Sequence, residues 1–535
     1  MKNLLKVIHQ IKYNNLISSL FALLATWVIF AAMPYFRLNG LYPQVDTQII
    51  FLHFLSASMA IYLAIRVFFF KYELKNLNHP FVLIPFFLAL FGLVSSFLGK
   101  NLNSSLSGSP QIGQGVFWYF DLTIMSIVFS QITTFKKIRL SIFINLVILT
   151  AVVTFFSFFP NWKGIKVYFY TFTDYLCFYG VLIFIMFTTL TKKRYMHILA
   201  FFILGAYLSV LENRAANLFW LTTFLAGTLY CILNLFQNCD AVNKIKGFLF
   251  SNIMFIFVIL LISFLILFSS MYFWSENYSL PSNIKGSILD APIVRGKIIE
   301  TSLYSLNSIK SLIIGNGWGV VPDLLLENMK SWHHDELRLG YNLHFHTHNG
   351  IAEHTVSMGL IGALLFLFYI YFIFKESEKH NIASKFGWLL FFKINCFWFL
   401  WTGTFSIFAV VLSCFLKNKE GLKSSLLNVE INKDIIRNKI IFSLFSIVIG
   451  FFLFFGAYST YKATKVNFLL DYTAIVQHIE NKKNTADKEC LSFYKDFNRG
   501  GYMLDRFLSG YASYVLTLPE DDMDDQMLDV LNELQ

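Results

Sequence analysis

Residues 247–272 read GFLFSNIMFIFVILLISFLILFSSMY, without a charged side chain after Lys246. At 1.5 Å per residue, a helix of about 20 residues crosses the roughly 30 Å hydrocarbon core of a bilayer. Only a helix or a closed barrel satisfies its own backbone in that medium. The run is too long and too uniformly apolar for a barrel strand, which alternates and ends after about 10 residues. It reads as a membrane-spanning helix.

The same window rule, applied outward from this stretch, finds spans near residues 15–36, 48–69, 79–98, 115–133, 140–159, 168–190, 195–211 and 215–236 before it. After it come 356–374, 386–400, 402–416 and 440–461. Over 386–416 two helices would share 31 residues around Trp401-Thr-Gly-Thr404, with one tilted helix as the alternative. Composition agrees: of 535 residues, 56% are hydrophobic, 18% aromatic and only 14% charged. Soluble domains carry about 25% charged residues, and 62 Phe cannot all hide in one water-soluble core. A soluble enzyme, a disulfide scaffold, a disordered chain and a repeat solenoid are excluded. The expected fold is an all-α polytopic integral membrane protein with about 12–13 transmembrane helices, one large loop and a small helical C-terminal tail. The six Cys (177, 231, 239, 396, 414 and 490) contain no CxxC pair, so neither a disulfide framework nor a zinc site is indicated. The first apolar run follows Lys2, Lys6 and Lys12 and is long enough to stay as a span rather than be cleaved.

A net charge of +11 would suggest nucleic acid in a soluble protein; here the positive charges read as topology signals, and no nucleic-acid partner is expected. With the N-terminus cytoplasmic, 23 Lys and Arg fall on inside segments, against Arg37, Lys100, Lys163, Lys166 and Arg214 on short outside loops. A single helix over 386–416 would instead put the basic stretch 417–439 outside. The expected division is nine spans over 1–272, a large exterior loop over 273–355, four spans over 356–461 and an exterior tail over 462–535. Within the loop, a helix from about 293 to 311 is expected, with Ile298, Leu303 and Leu306 on one face. In the tail, Pro519-Glu-Asp-Asp-Met-Asp-Asp525 reads as a carboxylate-rich helix start.

The loop ends His344-Phe-His-Thr-His348-Asn349. Three His at alternate positions share one face of an extended segment, which raises a metal site. The usual carboxylate or Cys at ligand spacing is missing, although Asp335 and Glu336 are near, so a metal site is the lesser reading. Interfacial anchoring is the plain alternative for His344, His346 and His354. The larger constellation says more. His348-Asn349, nine residues, then Gly359-x-x-Gly362 forms one pattern. Arg295-Gly296 followed by Ile313-Ile-Gly-Asn-Gly-Trp-Gly319 forms a second, and Glu212-Asn-Arg214-Ala a third. Together, over residues 15–416, they resemble the bacterial superfamily of O-antigen ligases, O-antigen polymerases and protein O-oligosaccharyltransferases. Asn213 stands where that superfamily often has Ser.

The resemblance implies an inverting glycosyltransferase that works without metal or other cofactor, in the bacterial inner membrane, its active site facing the periplasm. It implies a glycan donor on undecaprenyl diphosphate, held in membrane lipid. The acceptor would be lipid A–core for a ligase, a growing glycan for a polymerase, or a Ser/Thr hydroxyl for a protein transferase; ligation leads. A transporter without glycosyl transfer is the rival from another class. Its usual midplane charges and repeated halves are not evident. Glycosyl transfer expels a diphosphate, whose growing charge guanidinium groups clamp in a fork. Arg214 and Arg295 are the candidates, with a snorkelling anchor and an exposed loop charge as their plain alternatives. His348 suits the general base that takes the acceptor proton. Asn349, His346, Arg338 and Asp174 are candidate substrate contacts, and Gly359 and Gly362 suit close helix packing. His333 and His334 lie near the motif, with exposure as their plain alternative. Asp121 and Lys393 fall inside apolar windows and are candidates for that reason alone. The small polar stretch 104–115 is either a turn or part of a glycan groove.

Overall fold

The computed structural model describes residues 16–32, 43–69, 77–108, 113–131, 136–158, 173–236, 239–273, 290–328, 346–415 and 433–469. Among them the regular structure is helical, with no strand. The helices are α1 (Leu16–Thr26), α2 (Pro43–Phe69), α3 (Pro80–Leu98), α4 (Leu102–Ser107), α5 (Val116–Ser130) and α6 (Lys136–Phe158). There follow α7 (Thr173–Leu190), α8 (Arg194–Val210), α9 (Arg214–Leu235), α10 (Asp240–Leu249), α11 (Asn252–Phe273) and α12 (Asp290–Leu303). The last six are α13 (Ile309–Ile314), α14 (Val321–Asn328), α15 (Gly350–His380), α16 (Ile382–Asn395), α17 (Thr402–Ser413) and α18 (Lys433–Leu469). Among the described residues, α2, α3, α6, α9, α11, α15 and α18 are long and apolar enough to cross a membrane; α1, α5, α7, α8 and α17 are shorter apolar helices. Each apolar window in the sequence holds a helix, and the fold is an all-α, multi-pass membrane architecture.

Burial separates the helices into an inner and an outer set. Every residue of α5 and of α17 is buried. Around them aromatic rings interlock: Trp118 stacks on Phe405 at 4.3 Å and Phe391 on Phe408 at 5.4 Å. Offset and edge-on ring pairs of this kind add to plain area burial. The outer helices leave large apolar side chains uncovered, such as Ile253, Phe257, Phe264 and Phe268 on α11. A soluble protein does not tolerate a surface of that kind; a bilayer covers it.

Two expectations change. The helix expected over 293–311 is two helices. The chain turns after Leu303, and Ser308 starts α13 with a capping box: its Oγ accepts the Ser311 N–H at 3.0 Å, while Ser311 Oγ accepts the Ser308 N–H at 3.1 Å. Ile298 packs with Val321 and Leu325 of α14, and Leu306 falls in the turn, off the α12 face. At 386–416 the two expected helices form, and what changes is the break: α16 and α17 are separated by 396–401, with Thr402–Thr404 already in α17, and the linking residues Trp398 and Phe399 approach the motif loop. The tail beyond 469 lies outside the described residues.

Candidate functional site

Helix α15 is not continuous. Gly359 adopts φ +64°, inside an otherwise helical run, a conformation that favours glycine. The kink frees the carbonyls of Val356 and Ser357. The glycine-rich turn after α13 takes them up: Asn316 N–H donates to Val356 O at 3.0 Å and Gly317 N–H to Ser357 O at 2.9 Å. Ser95 Oγ at the end of α3 donates to Ser357 O at 2.6 Å. A Cβ on Gly359 would meet the Ile313 carbonyl carbon at 2.3 Å, and one on Gly315 (φ +85°) the Ser357 carbonyl carbon at 2.4 Å. The two glycine motifs of the sequence are therefore one backbone-to-backbone joint.

At the N-terminus of the same helix, the motif loop is tied down residue by residue. Asn349 caps α15: its Oδ1 accepts the N–H groups of Ile351 and Ala352, both at 3.0 Å. Its Nδ2 donates to Ser263 Oγ at 3.0 Å and to Cys396 O at 3.1 Å. That exhausts a buried amide, so Asn349 fastens α15 to α11 and to the 396–401 link. His346 is buried; its Nε2 donates to Gln114 Oε1 at 3.0 Å, and its Nδ1 accepts the His348 N–H at 3.0 Å. Burial drives the His346 pKa well below the ordinary histidine value, and nearby His354 pushes the same way. The ring is neutral at pH 7, as its acceptor role requires. Thr347 donates its N–H to Glu353 Oε2 at 2.9 Å and its Oγ1 to Asn349 O at 3.0 Å. His354 donates Nδ1–H to Gly350 O and accepts from the Tyr119 hydroxyl at 2.7 Å, deep in the bundle.

His348 is the member of the loop left half-exposed. Its backbone is left-handed, φ +57°, and its ring meets Trp398 at 5.3 Å and Phe399 at 5.2 Å. Arg295 reaches the same place from α12. Its guanidinium lies 4.4 Å from the Trp398 ring centre and 4.7 Å from that of Phe397. Gly296 makes this possible, because α12 runs so close to α11 that a Cβ there would meet Ile266 O at 2.2 Å. His348 and Arg295, far apart in sequence, thus share one indole.

Arg214 is exposed at the first position of α9. Phe219 of that helix packs on Phe397 at 5.5 Å, the ring under Arg295. Lys393 is buried nearby between Thr222 and Thr223, whose hydroxyls it meets at 3.1 Å. Asp121 pairs with His53 at 2.7 Å in the bundle interior. Asp174 lies in the first turn of α7, but its side chain, like all of Arg338, His333, His334 and His344, is outside the described residues. Gln114, at the end of the polar stretch 104–115, is that stretch's link to the site. Glu353, Trp398 and Phe399 are absent from the sequence-derived candidates. Glu353 was hidden because the apolar window began at 356, and the two aromatic residues because they read as ordinary span.

A cavity of about 40 Å³ lies under the loop, lined by Gln114, Tyr119, His346, His354 and Asn395 among others. It has room for about two or three waters and none for a ligand the size of a sugar ring. Among the described residues, no three His, Cys, Asp or Glu side chains converge as metal ligands. With both groups on Trp398, the partly exposed imidazole can accept a hydroxyl proton and the guanidinium can hold an anion. No protein-family model and no curated protein matches this chain.

Proposed function

We propose that this chain is a membrane glycosyltransferase that moves a glycan from undecaprenyl diphosphate to a hydroxyl acceptor, with O-antigen ligation to lipid A–core as the leading reaction. In this proposal the site faces the periplasm from the bacterial inner membrane. The observation that carries the reading is the meeting of His348 and Arg295 on Trp398. It couples a base to an anion holder across separate parts of the chain, which transport alone does not need.

In the proposed reaction the acceptor hydroxyl attacks C1 of the first sugar from the side opposite the diphosphate. His348 takes the hydroxyl proton as the new C1–O bond forms. The old C1–O bond breaks with its electron pair going to the leaving phosphate oxygen, and the configuration at C1 inverts. Arg295 and Arg214 hold the charge that gathers there; in a site partly shielded from water such fixed charges are worth several kcal/mol to the transition state. His346 and Asn349 keep the loop in shape.

The test is complementation of a ligase-null strain, with lipopolysaccharide ladders read on a gel. Wild type restoring the ladder and His348→Ala losing it, at equal membrane abundance, supports the ligase reading. A well-expressed wild type that restores nothing overturns ligation to that core. A ladder that survives His348→Ala overturns the base assignment.

A further inference from the structure

We propose that Glu353 is a positioning residue: working through Thr347 and His346, it holds His348 in the left-handed turn that sets its imidazole beside Trp398. The proposal rests on the glycosyl-transfer reading only for its activity measurement; the geometric claim stands apart from it.

A left-handed backbone at a residue other than glycine persists only where its surroundings over-determine it. At His348 those surroundings are side chains. Two successive backbone donors, Thr347 N–H and His348 N–H, point inward, and neither finds a carbonyl. The first ends on Glu353 Oε2 at 2.9 Å and the second on His346 Nδ1 at 3.0 Å. The two acceptors are themselves neighbours, with Glu353 Oε2 lying 3.4 Å from His346 Nδ1. Glu353 is buried to 2% exposure and Thr347 to 0%, so bulk water does not reach the Thr347 N–H that the carboxyl oxygen satisfies. Without that oxygen the Thr347 N–H would be buried and unsatisfied, a cost large enough to reshape a loop.

The arrangement also explains why the acceptor stands at 353. The first turn of α15 is fixed by the Asn349 cap, and the Glu353 N–H donates to Asn349 O at 2.9 Å. The Glu353 side chain then reaches back over its own helix start, as side chains on helices lean toward the N-terminus. A glutamine keeps an acceptor oxygen at the same reach. An aspartate keeps the charge but is one methylene short. The pair separates geometry from charge.

The experiment uses the full-length chain in lipid nanodiscs. Diethylpyrocarbonate modification of His346 and His348 is followed by peptide mass spectrometry, beside melting temperature and glycan transfer. Glu353→Gln should match wild type in both modification rates and in transfer. Glu353→Asp and Glu353→Ala should each raise His346 modification severalfold, change that of His348, and lower transfer by up to roughly a hundredfold, the loss that a 1 Å misplacement can bring. Should the Ala variant fail to fold, the Gln and Asp variants decide. Wild-type modification rates in Glu353→Asp overturn the proposal, as does a Gln variant that behaves like the Ala variant. If wild type transfers no glycan while the Asp variant still alters modification, the positioning claim holds and the enzymatic reading falls.

Discussion

At the scale of single residues, His348 and His346 show how one residue type takes opposite roles two positions apart. His348 stays half-exposed beside aromatic rings; His346 is buried, and both its ring nitrogens are engaged by the protein. The alternation of His along the segment is visible in the sequence; the chain turns at His348, φ +57°, yet the rings of His346 and His348 both reach Phe399, at 4.9 Å and 5.2 Å, while His344 lies outside the described residues. The burial of His346 has a pH consequence. Its folded pKa lies well below that of the unfolded chain, for reasons of desolvation, so the unfolded state takes up the proton first as pH falls. The stability from this site is full above the unfolded value of about 6.5 and is lost as pH drops below it. In His346→Asn, whose Oδ1 can still accept the His348 N–H, the fall in melting temperature from pH 7.5 to 5.5 should be smaller than in wild type. An equal or steeper fall would show that His346 does not carry that dependence.

The helices were legible because hydrophobic length alone decides them in a bilayer, and each window holds one. Their ends and breaks were not. The turn after Leu303 depends on a Ser308–Ser311 capping box, a short polar signal inside a run that otherwise keeps helical periodicity. The kink at Gly359 leaves no trace in hydropathy, since glycine is common in membrane helices and the apolar window from 356 runs across it. The pattern of Gly359 and Gly362 suggested close packing; what Gly359 provides is a left-handed joint against Ile313 and the 315–319 turn. Gly359→Ala should therefore be costly. The Gly359 backbone, φ +64° with ψ −164°, is essentially glycine-only and costs another residue about 1–3 kcal/mol, before the contact with the Ile313 carbonyl is relieved. A melting temperature several degrees lower in detergent is the expected result; an unchanged one would mean that the joint adjusts freely.

Across the whole molecule, charge asymmetry supplied an orientation and motif spacing supplied a site, but only folding joined them. Arg295 and His348 were each legible as motif members. Their meeting on Trp398 was not, because the joining element is the 396–401 link, which the sequence presents as apolar span. The orientation is open to a direct check. In a chain with its own Cys replaced by Ser, Ile309→Cys on the exposed start of α13 should react with a membrane-impermeant maleimide in spheroplasts. Cys239, restored alone before α10 where it is exposed, should react only after the membrane is opened. The reverse pattern would invert the topology.

The central claim is that His348 and Arg295 form one reacting centre for glycosyl transfer. The purified chain in liposomes, given a lipid-diphosphate glycan and a hydroxyl acceptor, tests it most directly. The account predicts transfer by wild type and a fall of roughly 10²–10⁴-fold in His348→Ala, the range for loss of a general base, with donor binding intact. Arg295→Ala should weaken both donor binding and rate. Transfer by His348→Ala at the wild-type rate would contradict the account.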